Sequence, residues 1–251
     1  DCFDKGWPMI AFQLSRRAWI AAGSLFILAL LALMPMRFLL SISIPNSSTI
    51  AASGASGSIW AGRIFDMRAG SVAIGTIEAG LRPLGLLTAD YSLWFSQPAA
   101  AGTEGLRGRI AKSFGGVAVE QLNGPIVIGG LLPGMSAVRL EFEDLSVDLS
   151  DGRCRTASGS IRSRPDSEIF AILGLGDGLI GRARCDKGDL LLPMTSGSGM
   201  ERLELRISGT GSYSVKLLLQ QPSAELVPLL DQAGLTPVAS GYRLSAKGKF
   251  W

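Results

Sequence analysis

Histidine, the commonest general base and zinc ligand, does not occur among the 251 residues. His-based triads and nearly every common zinc site are thereby excluded. Two groups of residues remain whose types could do chemistry. One is a run of carboxylates, Glu141, Glu143, Asp144 and Asp148, inside Leu140–Leu149 (LEFEDLSVDL). Paired acids can serve general acid–base catalysis, but alternation along a strand sets most of these on a solvated face. The opposite face takes Leu140 and Phe142, then Leu145, Val147 and Leu149. Parity changes at Glu143-Asp144, and a one-residue slip would turn the core face outward, so a β-bulge is expected there. The other group is the three cysteines, Cys2, Cys154 and Cys185, with no CxxC spacing among them. Gly176-Asp177-Gly178 and Gly197-Ser198-Gly199 lack the helix that follows a phosphate-binding loop and read as turns. No nucleophile elbow or metal cluster appears, so the sequence predicts neither catalytic, cofactor nor metal residues, and no enzyme.

The element that would place everything else is Ala18–Met36, AWIAAGSLFILALLALMPM, which carries no charge. Crossing a bilayer takes about 20 mostly apolar residues. The run predicts a membrane helix over 18–36, a tail over 1–17 and a body over 37–251. Lys5, Arg16 and Arg17 precede it while only Arg37 follows closely, so the tail is expected on the cytoplasmic side and the body outside. A cleaved signal peptide fits less well, because its apolar core runs about 7 to 15 residues and the nearest small-x-small site, Ser41-Ile42-Ser43, lies beyond Arg37. A buried core helix would show a polar stripe, which is absent. Asp1–Gln13 has no periodicity, and Met9 is an alternative start.

That topology sorts the cysteines. Cys2 is expected to be a free cytoplasmic thiol, whereas Cys154 and Cys185 lie where disulfides persist. A Cys154–Cys185 bridge closes a loop of about 32 residues and contributes about 3 to 4 kcal/mol on the chain-entropy estimate. Two buried free thiols are the alternative. Charge is uninformative: the chain has 24 basic and 21 acidic residues, and removing Lys5, Arg16, Arg17, Arg37, Asp1 and Asp4 leaves 20 against 19. A basic nucleic-acid surface is not supported.

Beyond the apolar run the chain reads as short alternating segments cut by glycines, at the 8 to 12 residue spacing of an antiparallel β protein. The expected strands are 71–74, 77–81, 89–95, 106–111, 117–122, 126–128, 140–149, 152–161, 179–185, 189–192, 200–208, 213–219 and 242–251. Short helices are expected over 168–173, capped by Asp166 or Ser167, and over 223–233, where Pro228 restricts or kinks the turn. Gly57, Trp60 and Gly62 form a small-residue element in which the tryptophan packs at a strand start, folded over a neighbouring strand. The fold class is therefore mainly β: a single amino-terminal helix, then an antiparallel, curved sheet or partly closed barrel-like domain with one or two short helices.

Four elements in order carry a resemblance: Gly57-Ser58-Ile59-Trp60-Ala61-Gly62, Asp151 to Gly159 (DGRCRTASG), Arg184-Cys185-Asp186-Lys187-Gly188 and Gly241-Tyr242-Arg243-Leu244. With the preceding span they resemble the type II secretion system protein N family. The resemblance implies a single-pass protein of the bacterial inner membrane with a periplasmic β-rich domain and a Cys154–Cys185 disulfide. It also implies an accessory role, through contacts with other secretion subunits, in exporting folded proteins across the outer membrane. A second reading is a lipid or hydrophobic-ligand carrier whose curled sheet forms an apolar groove, as in AsmA-like bridge proteins.

Overall fold

The computed structural model describes residues 16–38, 50–70, 72–82, 92–98, 105–113, 115–129, 131, 137–164, 178–222, 224, 226–232 and 234–250. The chain divides into two compact units after Met34. The first contains helix α1 (Arg16–Ala32), 17 residues long, or about 25 Å at 1.5 Å per residue. Its Trp19, Ile20, Leu25, Phe26 and Leu30 side chains are exposed. No helix among the described residues is long and apolar enough to cross a membrane. The membrane helix expected over 18–36 is therefore not borne out: α1 stops at Ala32. Pro35 has no N–H to continue a helix and disfavours helical backbone before it, so α1 ends at Ala32. Pro35 instead bridges Ser58, and Met36, only 1% exposed, joins the core of the second unit.

The second unit is one antiparallel sheet. Its strands are β1 (Ile50–Ala51), β2 (Gly54–Gly57), β3 (Gly62–Ala69), β4 (Val72–Leu81), β5 (Ser92–Ser96), β6 (Arg107–Ser113), β7 (Gly116–Gly129) and β8 (Ala137–Ser150). Then follow β9 (Arg153–Arg164), β10 (Leu179–Arg182), β11 (Arg184–Asp186), β12 (Asp189–Thr195), β13 (Glu201–Ile207), β14 (Ser212–Leu219), β15 (Thr236–Val238) and β16 (Gly241–Lys249). Helix α2 (Val227–Gln232) precedes β15. Spatial order follows chain order almost throughout, from β1 and β3 to β14, then β16 and finally β15, with β2 beside β3 and β11 beside β12. The path is open and the sheet is not a closed barrel. One irregularity interrupts the meander: Val72 of β4 pairs Ile128 of β7, although β5 and β6 lie between these strands further along.

The bulge expected at Glu143-Asp144 is present. Val138, Leu140 and Phe142 are buried on one side of it and Leu145 and Val147 on the other, while Glu143 and Asp144 are exposed. Asp144 adopts φ 50° and Gln121, on the adjacent β7, φ 51°. Asn123 locks the pair: its Nδ2 donates to the Gln121 carbonyl (3.0 Å) and to Asp144 Oδ1 (3.2 Å), and its Oδ1 accepts from the Asp144 N–H (2.9 Å). On the other side of β8, Gly159 of β9 sits at φ 120°, where a Cβ would lie 2.5 Å from Leu145 Cα. A column of irregularities therefore crosses three neighbouring strands and bends them together.

Burial in the second unit falls into two clusters, the smaller made of Met36, Ala55, Ile64, Ile77 and Ala79. Leu140, Ile161, Leu192, Met194, Leu205, Leu217, Val215 and Leu230 are almost wholly covered and belong to one cluster running from β8 to β16. Backbone meets backbone where the sheet folds over on itself. A Cβ on Gly209, in the β13–β14 turn, would lie 2.1 Å from the Gly152 carbonyl oxygen in the β8–β9 turn.

Several boundaries differ from expectation. The segments expected at 71–74 and 77–81 are one strand, β4, continuous through Gly75 at φ 83°. Those at 117–122 and 126–128 likewise merge into β7. The run 179–185 is split at Ala183, whose side chain is buried and whose N–H donates to the Gly159 carbonyl (3.0 Å). β3 lies in a stretch where alternation is too weak to predict a strand. The expected helix over 223–233 is shorter, Val227–Gln232, because Pro228 is tolerated only in its first turn. The helix expected over 168–173 lies outside the described residues.

Candidate functional site

The Gly57–Trp60–Gly62 element is the four-residue loop of the β2–β3 hairpin, with Gly57 and Gly62 paired at its base. Gly57 sits at φ 86°, where a Cβ would press on the Ala61 carbonyl oxygen at 2.7 Å. Gly62 has a different reason: a Cβ there would lie 2.8 Å from Met36 Cγ. Arg37 Nε donates to the Ala55 carbonyl (2.9 Å), so Pro35–Arg37 is stitched to this hairpin at three successive residues. On the other side the Leu81 N–H donates to the Ile59 carbonyl (2.9 Å), and the Trp60 carbonyl oxygen lies 2.0 Å from where a Cβ of Gly80 would stand. The loop is thus folded over β4; its buried residue is Ile59, whereas Trp60, expected to pack as the core residue, is half-buried. Gly80, the residue that permits the approach, carries no mark in the sequence beyond being a glycine.

Cys154 and Cys185 form a disulfide, with Cα atoms 5.5 Å apart. The bridge ties the start of β9 to β11, and the Cys154 N–H donates to the Gly188 carbonyl (2.7 Å), so the β11–β12 hairpin is held at two adjacent points. Its two-residue turn, Lys187-Gly188, has φ 56° and 89°, the doubly positive geometry that matches strand twist. Across this corner lies a clamp that residue spacing did not reveal. Arg206 on β13 donates through Nη1 to the Asp186 carbonyl (3.0 Å) and Asp189 Oδ2 (3.4 Å), and through Nη2 to the Asp186 carboxylate. That hydrogen bond, more than the surrounding positive charge, holds the Asp186 carboxyl below its ordinary range and raises Arg206. Only the register, which sets Arg206 opposite Leu191, brings the three together.

The acids of β8 do not assemble a catalytic pair. Glu143 and Asp144 are exposed and Asp148 half-exposed; Asp144 serves the bulge and Asp148 accepts from Ser150 Oγ (3.3 Å). Among the described residues no group of three or more His, Cys, Asp or Glu could hold a metal ion. A partly open cleft of about 190 Å³ lies where β4 parts from β7, lined by Ile74, Gln97, Leu106, Pro125, Ile126 and Arg139 among others. Gln97 Nε2 spans it to the Ile74 carbonyl (3.0 Å).

Searches of the curated proteins and of the solved structures return no match. The family model for type II secretion system (T2SS), protein N, matches residues 48–245. That stretch begins just before β1 and ends within β16, so it takes in the hairpin loop, the bulge column and the disulfide corner together. The chain therefore belongs to the type II secretion system protein N family.

Proposed function

We propose that this component of type II secretion is a non-catalytic accessory subunit, anchored in the inner membrane through α1 and acting by protein–protein contacts of its sheet on the periplasmic side. The observation that carries the reading is the extent of the family match, which covers nearly the whole sheet. Supporting the side of the membrane, the Cys154–Cys185 bridge is of the kind that persists in oxidising compartments. Supporting the anchor, α1 exposes large apolar side chains, and Arg16 and Arg17 stand at its amino end. The lipid-carrier reading is less well supported: the cluster from β8 to β16 is filled by side chains, and the cleft at β4 is smaller than the roughly 300 Å³ at which ligand sites begin.

The test is in-cell photocrosslinking of the full-length protein from sheet-edge positions and from Arg37, with extraction of membranes at alkaline pH as the check on anchoring. Capture of secretion subunits, together with loss of export but an intact outer membrane on deletion, is the expected result. Lipid adducts alone would overturn the subunit reading, and release into the alkaline wash would overturn the anchor.

A further inference from the structure

We propose that the half of β16 beyond β15, which no other described strand pairs, is the docking edge for an extended segment of another secretion subunit, one carrying acidic residues at alternate positions with apolar residues between them. The inference rests on the accessory reading above and specifies its surface.

From Tyr242, opposite Leu219, to Lys249, opposite Ser212, β16 is paired with β14 on one side. On the other side β15 covers only Gly241–Arg243. Among the described residues only β14 and β15 pair with β16, and the β3–β4 turn reaches no further than its end, where Gly70 lies against the Phe250 carbonyl. Which backbone groups this leaves open follows from a side-chain bond that crosses the edge: Thr236 Oγ1 donates to the Arg243 carbonyl (3.2 Å), so Arg243 points its backbone groups toward β15. In an extended strand these directions alternate residue by residue. Ser245, Lys247 and Lys249 therefore direct their N–H and C=O groups to the open edge, while Leu244, Ala246 and Gly248 face β14. That is a template for strand addition.

The side chains define the occupant. Ser245, Lys247 and Lys249 are exposed, and neither lysine makes an ion pair among the described residues. Leu244 is buried and Ala246 half-buried on the opposite face. A strand laid beside them meets cations on one face and an apolar boundary on the other, which selects acidic and apolar residues in alternation. A second copy of this chain presenting the same edge fits poorly, since it would bring lysine against lysine. The edge is also preformed: Tyr213 stacks on Phe250 with ring centroids 4.5 Å apart, and the Phe250 N–H donates to the Gly211 carbonyl (2.9 Å) just beyond the last lysine.

The experiment uses the full-length protein in cells making the whole secretion machine, with a photoreactive phenylalanine at Ser245 and, separately, at Thr156 and Arg37. The expected result is capture from Ser245 of a secretion subunit, through a peptide that alternates acidic and apolar residues. Lys247→Pro removes an N–H from the open edge and leaves the β14 ladder intact. It should lower that yield about tenfold, the effect of roughly one lost hydrogen bond. The pair Lys247→Glu and Lys249→Glu, which keeps every backbone donor, should lower it at least as much. Unchanged yield in both variants, or capture of a second copy of this chain from Ser245, overturns the proposal. Capture of secretion subunits from Thr156 or Arg37 but not Ser245 overturns the edge while leaving the accessory reading in place; capture from none overturns both.

Discussion

At the scale of single residues, the side chains that distinguish this molecule hold backbone in place. Arg206 shows this best, because its guanidinium reaches the carbonyl and carboxylate of Asp186 and the carboxylate of Asp189 across three strands. Asp186 is bound more tightly as a carboxylate than as an acid, so its depressed pKa contributes stability that is complete above the unfolded value of about 3.9. The contribution fades as pH falls through the lower folded value. Urea midpoints of the native protein and of Arg206→Met, compared from pH 6 down to pH 2.5, should therefore differ at the upper end and converge at the lower. A gap that stays constant with pH would mean that Arg206 acts only through packing of its stem.

At the scale of elements, the decisive features are the places where strands depart from regular pairing. The bulge on β8 was legible because side-chain parity changes within LEFEDLSVDL, and parity is a property of sequence alone. The two-residue turn at Lys187-Gly188 and the brevity of α2 at Pro228 follow from equally local chemistry. What supports the bulge was not legible, since Asn123 and Gly159 acquire their roles only from register. Gly159→Ala should cost at least about 2 kcal/mol, combining a positive φ with a Cβ set 2.5 Å from Leu145 Cα; equilibrium denaturation measures it. Asn123→Ala should cost less, about 1 kcal/mol, because water can reach the exposed bulge and replace its partners. The Gly-Trp-Gly element teaches a related lesson. Its composition announces a close approach, but Ile59, Gly80 and Met36, which the approach involves, are ordinary residues brought there by topology.

At the scale of the whole molecule, alternation and glycine spacing were enough to specify an antiparallel β protein, while the length of the apolar run overstated its helix. The run's proline, one residue from its end, stops the helix early, so that Pro35 bridges Ser58 and Met36 enters the core of the second unit. The order of strands nearly repeats the order of the chain, so most pairings join consecutive strands; the disulfide adds a covalent tie between residues 31 apart. Replacing both cysteines by serine should lower stability by about 3 kcal/mol, chiefly by freeing the unfolded chain, and reductant should lower the native protein to the same level. Calorimetry of the two proteins with and without reductant checks this, and a reductant effect that persists in the serine variant would show that it acts elsewhere.

The meeting of Val72 with Ile128 gives the sheet a mechanical character. β4 and β7 are neighbours there, yet by Glu78 two further strands stand between them. Strands about 4.8 Å apart must then diverge by about 10 Å over a run of about 20 Å. In the vocabulary of crystals, β5 and β6 are extra half-rows inserted between β4 and β7, and the seam at which they begin is a dislocation. Rows that part in this way cannot keep a uniform spacing across the seam, so the ladder of hydrogen bonds changes partners there.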